Sequence, residues 1–194
     1  MKEKAMNRFV TCLLTIAILI CSHTNAWAGY RATTIAAAPT HSAFALTNIS
    51  LHDALQTTFA SKFQHGLWRP VTAIRRADED GNAATAPDAA WLSLIPNPPY
   101  PSYAGNMAGI GTSQATILAL FFGRDDIRFD HTWAGAGGAT RSYAGFGAMA
   151  DEQARARVYG GIHFTFDNVA GQSVGTNVGN YVFGKLMRPR HCVK

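Results

Sequence analysis

Two cations, Lys62 and Arg69, lie seven residues apart in a stretch where apolar residues recur every three to four positions from about Ser42. Seven residues is close to two turns of α-helix, so both side chains are expected on one face. Two like charges on one face repel each other unless an anion lies between them. A solvated basic face explains the same spacing, although Trp68 and Pro70 favour a packed end to this helix. These cations alone therefore leave an anion site and an ordinary surface both open.

A second group combines Arg157, His163 and Asp167. His163 and Asp167 are spaced i, i+4, so the carboxylate can hold one ring nitrogen and leave the other basic. Such a nitrogen can ligate a metal or attack an electrophile. In a straight helix Arg157 would lie about a third of a turn from the His163 face, and Gly160-Gly161 could supply the break that lets both converge. A structural histidine paired with an acid is the alternative.

The remaining pattern predicts an all-α helical bundle. Four prolines make residues 95–101 a stiff extended segment, and the glycine-rich stretch from Gly123 to Thr140 is predicted to be a long loop bordering a site. The helix between these segments is apolar nearly all round, which predicts a buried central helix. We find no confident strand pair and no internal repeat. The predicted helices run from about Ser42 to Arg69, from Asn106 to Phe122, from Ser142 to Tyr159 and, after Gly160-Gly161, to about Leu186.

Taken together, these motifs resemble the signature of the vanadium-dependent haloperoxidases and the related type 2 phosphatidic acid phosphatases, the PAP2 superfamily. The two groups read KxxxxxxRP from Lys62 to Pro70 and RxxxxxHxxxD from Arg157 to Asp167. Three further stretches resemble the bacterial haloperoxidase branch: WRPVTAIR (68–75), PNPPYPSY (96–103) and YGGIHFTFDN (159–168). The resemblance covers residues 42–189.

This resemblance implies a helical bundle like the PAP2 and chloroperoxidase core, with a pocket for a tetrahedral oxyanion. Lys62, Arg69 and Arg157 would bind the oxygens of vanadate or phosphate, for which forked arginine bonds are suited. In a haloperoxidase with vanadate as cofactor, His163 would be the axial ligand to vanadium. In a phosphatase, which needs no cofactor, the same nitrogen would form a phosphohistidine. Asp167 would orient the ring in both.

The sequence departs from the family at the start of the predicted central helix. Members place the tetrapeptide P-S-G-H there, and its histidine exchanges protons, whereas this chain has Ala104-Gly105-Asn106-Met107. The backbone amides of Gly105 and Asn106 could still donate to an anion at a helix N-terminus. Met107 has no proton to exchange, and losing an acid–base group typically costs about 10²–10⁴ in rate. Ala156, where a serine usually precedes the arginine, removes one further donor.

Another histidine could replace the missing acid–base group. His65 lies three residues from Lys62 on the same side of the predicted helix, and we take it as the first candidate. A histidine packed on the helix flank is the alternative. His131, in the predicted long loop, is a weaker candidate. His41 and His52 show no ligand spacing, so no zinc site is predicted.

Three functions follow from these residues. The first is a vanadium-dependent haloperoxidase that oxidises halide with hydrogen peroxide, favoured by the sequences around Trp68 and His163. The second is an exported acid phosphatase that forms a phosphohistidine at His163. The third is a degenerate, non-catalytic member that binds an oxyanion, motivated by Met107 and by a chain shorter than usual for haloperoxidases. All three take a small-molecule substrate or anion.

The N-terminus predicts a secretory signal. Basic residues precede a short apolar run from Phe9 to Cys21, and Ala26-Trp27-Ala28 forms an A-x-A cleavage site. The run is shorter than a stable membrane span requires, and an uncleaved anchor is the alternative. We therefore predict a signal peptide at residues 1–28, a lead-in at 29–40, one domain at 41–190 and an exported protein.

Charge and cysteine content limit the partners. The chain has 194 residues and a formal net charge of +5. A charge so small and scattered suits an anionic ligand but predicts no nucleic-acid binding. Removal of the signal would leave Cys192 as the single thiol, so no internal disulfide is predicted. A homo-oligomer that covers exposed faces of the domain is an open alternative.

Overall fold

The computed structural model describes residues 38–187, so the predicted signal peptide and Cys192 lie outside the described range. Within that range the chain forms five α-helices and one antiparallel strand pair. No helix among the described residues combines the length and hydropathy needed to cross a membrane. The helices are α1 (Ala38–His65), α2 (Pro70–Arg75), α3 (Asn106–Phe122), α4 (Phe146–Tyr159) and α5 (Thr165–Lys185), and the strands are β1 (Phe129–Trp133) and β2 (Ala139–Tyr143).

The predicted all-α bundle with a central helix is confirmed. α3 begins at Asn106 and ends at Phe122, as predicted, and α1, α4 and α5 all pack against it. Ile117 and Leu118 are almost completely buried because neighbouring helices cover α3 on several sides. Gly123 ends the helix in the left-handed conformation that favours glycine.

α1 differs from its predicted bounds at both ends. It begins inside the predicted lead-in and ends at His65 instead of continuing to Arg69. Gly66 adopts a φ of +59°, which turns the chain, and Pro70 then opens α2. Arg69 is extended, as expected for a residue before proline. The prediction that Lys62 and Arg69 lie on one helix face is therefore wrong, because a turn separates them.

A β-hairpin begins inside the predicted glycine-rich loop and extends to Tyr143, so the expectation of no strand pair is also wrong. The helix predicted from Ser142 begins instead at Phe146, because Ser142 and Tyr143 belong to β2. β1 and β2 pair antiparallel, with Phe129 opposite Tyr143 and His131 opposite Arg141. Phe129 and His131 are buried while Asp130 between them is exposed, which is the alternation of a half-buried strand. Each strand has five residues, and so short an alternation is a weak signal in a sequence.

Aromatic packing attaches the hairpin to the bundle. The Phe129 ring lies 5.9 Å from that of Phe146 at the start of α4 and 5.4 Å from that of Tyr143. Leu118 of α3 and Ile127 belong to the same buried cluster. Burial of large apolar side chains of this kind contributes about 1.5–3 kcal/mol each. The hairpin is therefore held against the last turns of α3 and the start of α4.

Glycines allow α5 to approach α3 unusually closely. A Cβ atom on Gly171 would lie 2.1 Å from the carbonyl oxygen of Gly105, and one on Gly175 would lie 2.4 Å from that of Gly109. No side chain fits at these distances, since real Cβ contacts are longer than 3 Å. The contact fixes the start of α5, which carries Asp167, against the start of α3.

Candidate active site

Lys62 lies at the buried centre of the candidate site, in the last turns of α1. Its side chain is fully buried. The ammonium group donates to the carbonyl oxygens of Ser102 at 2.7 Å and Pro101 at 3.2 Å. The ring centre of Tyr100 lies 5.4 Å from Nζ, a distance at which cation–π attraction stabilises the charge. The stiff proline-rich segment thus presents both its carbonyls and a ring face to the cation.

Arg69 joins the proline-rich segment to the segment before α5. Its Nε donates to the carbonyl of Tyr100 at 2.9 Å, and Nη1 donates to the carbonyl of Ile162 at 2.7 Å. Nη1 also lies 3.3 Å from Nε2 of His163. Only 6% of the residue is exposed. The two groups of residues found separately in the sequence therefore meet at this guanidinium.

Asp167 holds the ring of His163, as their spacing predicts, although His163 lies just before the first residue of α5. Nδ1 of His163 is 3.0 Å from Oδ2 of Asp167, and both side chains are buried. The same oxygen accepts from the Ser102 hydroxyl and from the Phe164 N–H at 3.1 Å. We assign the ring proton to Nδ1, because a carboxylate accepts from it, which leaves the lone pair on Nε2 beside Arg69.

We call Lys62, Arg69, Ser102, His163 and Asp167 the buried cluster. Arg157 is half-buried at the end of α4, where the chain turns at Gly161 with a φ of +74°. This turn is the predicted break between the last two helices. The charge of Arg157 lowers the pKa of both Lys62 and Arg69, so the three cations act on one another electrostatically.

Charge in the buried cluster is unbalanced. Burial, with smaller contributions from the charges of Arg69 and Arg157, lowers the pKa of Lys62 from 10.5 to about 7, although the Asp167 carboxylate acts in the opposite direction. Burial also lowers the pKa of His163, against the raising effect of its hydrogen bond to Asp167. The His163 ring is therefore neutral at pH 7, and its Nε2 lone pair faces the N–H groups of Arg69. An added anion would favour the charged form of Lys62.

We predict that anion binding at this site weakens as pH rises through about 7. Below the Lys62 pKa of about 7 the ammonium is charged and attracts an anion, and above it the amine is neutral. Sulfate is a suitable probe because its charge stays constant between about pH 6 and 8.5. Calorimetry should show affinity falling roughly tenfold over that range, with proton uptake on binding near the Lys62 pKa.

Two lysine variants control this measurement. Lys62→Met should weaken sulfate binding at pH 6 and remove its pH dependence, whereas Lys185→Met, at an exposed lysine on α5, should change neither. Sulfate affinity that stays constant from pH 6 to 8.5 in the unmodified protein would contradict the assignment of Lys62 as an anion-binding group.

The start of α3 lies against the start of α5. The Gly105 N–H donates to the Asp167 carbonyl at 2.8 Å, so this amide is engaged within the protein. Asn106 is the first residue of α3, and its own N–H has no acceptor inside the helix. Its side-chain Oδ1 is buried with no hydrogen-bond partner among the described residues. Anion binding by Gly105 and Asn106 stays a prediction, for which Asn106 has the more suitable amide.

A cavity of about 420 Å³ lies beside the buried cluster, on the side of the hairpin. Arg157 and Met107 line it, together with His131 and Trp133 of β1. Among the described residues that line this cavity, none belongs to the buried cluster. Arg157 is therefore the predicted oxyanion-binding residue that faces this larger space.

The histidines considered as replacements for the missing acid–base group differ in burial and in contacts. His65 is exposed at the end of α1, and its ring packs edge-on against Tyr103 with centroids 5.1 Å apart. His131 is buried and faces the cavity. His52 is exposed and pairs with Asp53 at 3.3 Å. Among the described residues, no group of three or more His, Cys, Asp or Glu side chains is arranged to hold a metal ion.

Two residues of the proline-rich segment were missed as functional candidates. The Ser102 hydroxyl donates to Asp167 and lies 3.3 Å from Nδ1 of His163. The Tyr100 ring lies over both cations, 5.0 Å from Cζ of Arg69. Both residues stand in the quoted stretch PNPPYPSY, so the available signal was their position next to prolines that stiffen the segment.

The comparisons with known proteins agree with this architecture. A bacterial vanadium-dependent iodoperoxidase of known structure is 29% identical to this chain, with a TM-score of 0.67 over 77% of this chain and 34% of its own. The holo and apo structures of a bacterial vanadium-dependent chloroperoxidase give TM-scores of 0.61 at 19% and 17% identity and show the same fold. No curated protein matches the sequence.

The match covers one part of those larger proteins. The chain spans about a third of the length of each of the three solved structures. A family model, described as the VCPO second helical-bundle domain, matches residues 42–191, which include every predicted site residue. The chain therefore belongs to the family of the VCPO second helical-bundle domain.

Proposed function

We propose that this chain binds vanadate and acts as a vanadium-dependent haloperoxidase, oxidising halide with hydrogen peroxide. The observation that carries the proposal is the position of His163, whose Nε2 lies 3.3 Å from Nη1 of Arg69 inside a cationic, buried cluster. A neutral imidazole beside the cations Lys62, Arg69 and Arg157 can ligate the central atom of an oxyanion while the cations bind its oxygens.

The donor set fits a tetrahedral oxyanion. The ammonium group of Lys62 carries three N–H donors, and two backbone carbonyl oxygens accept from it. The guanidinium of Arg69 carries five N–H donors, and three backbone carbonyl oxygens accept from it. Each cation thus keeps donor capacity for an added oxygen. Three cations with one carboxylate, Asp167, also give the site an excess of positive charge that an anion would balance.

Each residue has a distinct role in this proposal. Lys62, Arg69 and Arg157 would bind the oxygens of vanadate, and Nε2 of His163 would hold its vanadium atom. Asp167 holds Nδ1–H of His163 and so keeps Nε2 unprotonated. When bound, vanadate supplies a Lewis-acidic centre that activates hydrogen peroxide toward a halide ion. The low dielectric of the buried cluster strengthens these electrostatic contacts.

The lowered pKa of His163 also favours a second candidate, an acid phosphatase. A neutral Nε2 can attack phosphorus, forming the N–P bond of a phosphohistidine as the ester oxygen leaves. The residues that bind vanadate would bind the phosphoryl oxygens. The buried position of Met107 favours a third candidate, an oxyanion-binding member without catalysis, since Met107 cannot exchange a proton.

Export belongs to the proposal as well. The basic residues, apolar run and A-x-A site of residues 1–28 support a signal peptide, with a small-molecule substrate outside the cytoplasm. Mass spectrometry of the protein recovered from the producing cells would test it. A mature N-terminus at Gly29 supports export, and an intact N-terminus in the cytoplasmic fraction contradicts it.

Turnover assays distinguish the three functions. Protein loaded with orthovanadate should oxidise iodide with hydrogen peroxide, and iodide is used because it is the halide most easily oxidised. His163→Ala should lose this activity, while His52→Ala, at an exposed histidine, should keep it. Hydrolysis of p-nitrophenyl phosphate by vanadate-free protein, without iodide oxidation, would favour the phosphatase. Vanadate binding without either activity would favour the non-catalytic candidate.

A further inference from the structure

His131 occupies an unusual position for a polar side chain. It lies on β1 with 6% of its surface exposed, on the same strand face as the buried Phe129. Both ring nitrogens, Nδ1 and Nε2, are buried and have no hydrogen-bond partner among the described residues. Burial of a polar group without a partner costs free energy, and an apolar side chain would fill the space without that cost. Both ring nitrogens are thus able to form a hydrogen bond with a polar group of a bound ligand.

The cavity shows where that group would come from. His131 lines the cavity of about 420 Å³ together with Arg157 and Met107. Arg157 belongs to the predicted oxyanion-binding set, and Met107 stands where family members carry their acid–base histidine. The imidazole of His131 therefore faces the same space as the one oxyanion-binding cation that the cavity exposes.

The other titratable groups at the cavity either are arginines or are paired with one another. Arg141 and Tyr143 of β2 and Glu152 and Arg157 of α4 share its lining with His131. Glu152 accepts from the Tyr143 hydroxyl at 3.2 Å and pairs with Arg141 Nε at 3.1 Å. Arginine does not lose its proton near neutral pH. Among the described residues that line the cavity, His131 is the one histidine, the residue type most often used for proton transfer in catalysis.

We propose that His131 is the proton donor of the reaction and replaces the group that Met107 cannot provide. This inference rests on the proposed haloperoxidase function. Oxidation of a halide consumes one proton, X⁻ + H₂O₂ + H⁺ → HOX + H₂O. The O–O bond breaks, the halide gives two electrons to peroxide, and the proton ends on the water that leaves. His131 supplies that proton and recovers one from solvent through the cavity.

In this proposal the function of the hairpin is to carry His131. β1 brings His131 to the cavity that Met107 of α3 also lines, so this histidine comes from a different element than the one that carries the family's histidine. His65, the first candidate from the sequence, is exposed at the end of α1 and does not line this cavity. The structure thus favours His131 over His65, because His131 and not His65 shares a cavity with Arg157 of the predicted oxyanion-binding set.

Variants of three histidines test the proposal on vanadate-loaded protein. His131→Gln should lower iodide turnover by about 10²–10⁴ while vanadate affinity stays within about threefold. His52→Gln, at an exposed histidine, should change neither. Met107→His in the His131→Gln background should raise iodide turnover at least tenfold above that of His131→Gln alone. Equal turnover of His131→Gln and unmodified protein, or a loss confined to His65→Gln, would overturn the proposal.

A measurement without turnover accompanies these assays. In ¹⁵N NMR spectra of the histidine rings, titration with orthovanadate should shift the His131 signals along the same binding curve as calorimetry, and the His52 signals should not move. A protein that binds vanadate without any change at His131 would overturn this inference and leave the proposed function standing. A protein that binds no vanadate would instead overturn the proposed function, and this inference with it.

Discussion

Asp167→Ala is expected to lower the free energy of unfolding by about 3–5 kcal/mol. Asp167 is fully buried, and it accepts hydrogen bonds from Ser102, His163 and the Phe164 N–H. Its removal leaves the buried charge of Arg69 without the carboxylate that opposes it. Urea unfolding followed by circular dichroism measures the change. A loss of this size is a large part of the 5–15 kcal/mol typical of a domain.

Asp53 supplies a matched control on the surface. It also pairs with a histidine, His52, but both side chains are largely exposed. Asp53→Ala should therefore change the free energy of unfolding by less than about 0.5 kcal/mol. Similar small effects for Asp167→Ala and Asp53→Ala would show that Asp167 does not compensate buried charge, which would contradict the described cluster.

Gly171→Ala is expected to destabilise the protein by about 1–3 kcal/mol, although alanine is the better helix former. The new Cβ would lie 2.1 Å from the Gly105 carbonyl oxygen. The oxygen is a backbone atom, and the Cβ is bonded directly to the backbone. No rotamer change can relieve such a contact, so α5 must move away from α3. Because Gly105 also donates to Asp167, vanadate affinity should fall with stability.

Gly184 in the same helix is the control for this substitution. A Cβ on Gly184 meets no atom within 4 Å. Gly184→Ala should therefore stabilise the protein by about 0.5–1 kcal/mol through helix propensity alone. Thermal unfolding measures the stability of both variants. A Gly171→Ala protein as stable as Gly184→Ala would contradict the close contact between α3 and α5.

Features set by local sequence could be predicted. α3 is apolar around its circumference and ends at a glycine, so its bounds and its burial followed from the pattern. The His163–Asp167 contact depends on four residues of spacing, and it forms although His163 precedes α5. The helical pattern continues to Arg69 and predicts one helix for Lys62 and Arg69, whereas the turn at Gly66 ends that helix at His65.

Features set by contacts between distant segments could not be predicted. The bond from Arg69 to the Ile162 carbonyl joins residues 93 apart, and the bond from Ser102 to Asp167 joins residues 65 apart. No periodicity within one segment records such a pairing. His131 was ranked below His65 for the same reason, because its burial depends on a hairpin that packs through Phe129 on another element.

Vanadate binding by the purified protein tests the central claim most directly, measured by calorimetry at pH 6.5. The unmodified protein and His52→Ala should bind orthovanadate with micromolar affinity, one ion per chain. His163→Ala, if still folded by circular dichroism, should bind at least a hundredfold more weakly, as expected for loss of a ligand and its supporting contacts. No binding at millimolar vanadate by the folded, unmodified protein would contradict the claim that the buried cluster is an oxyanion site.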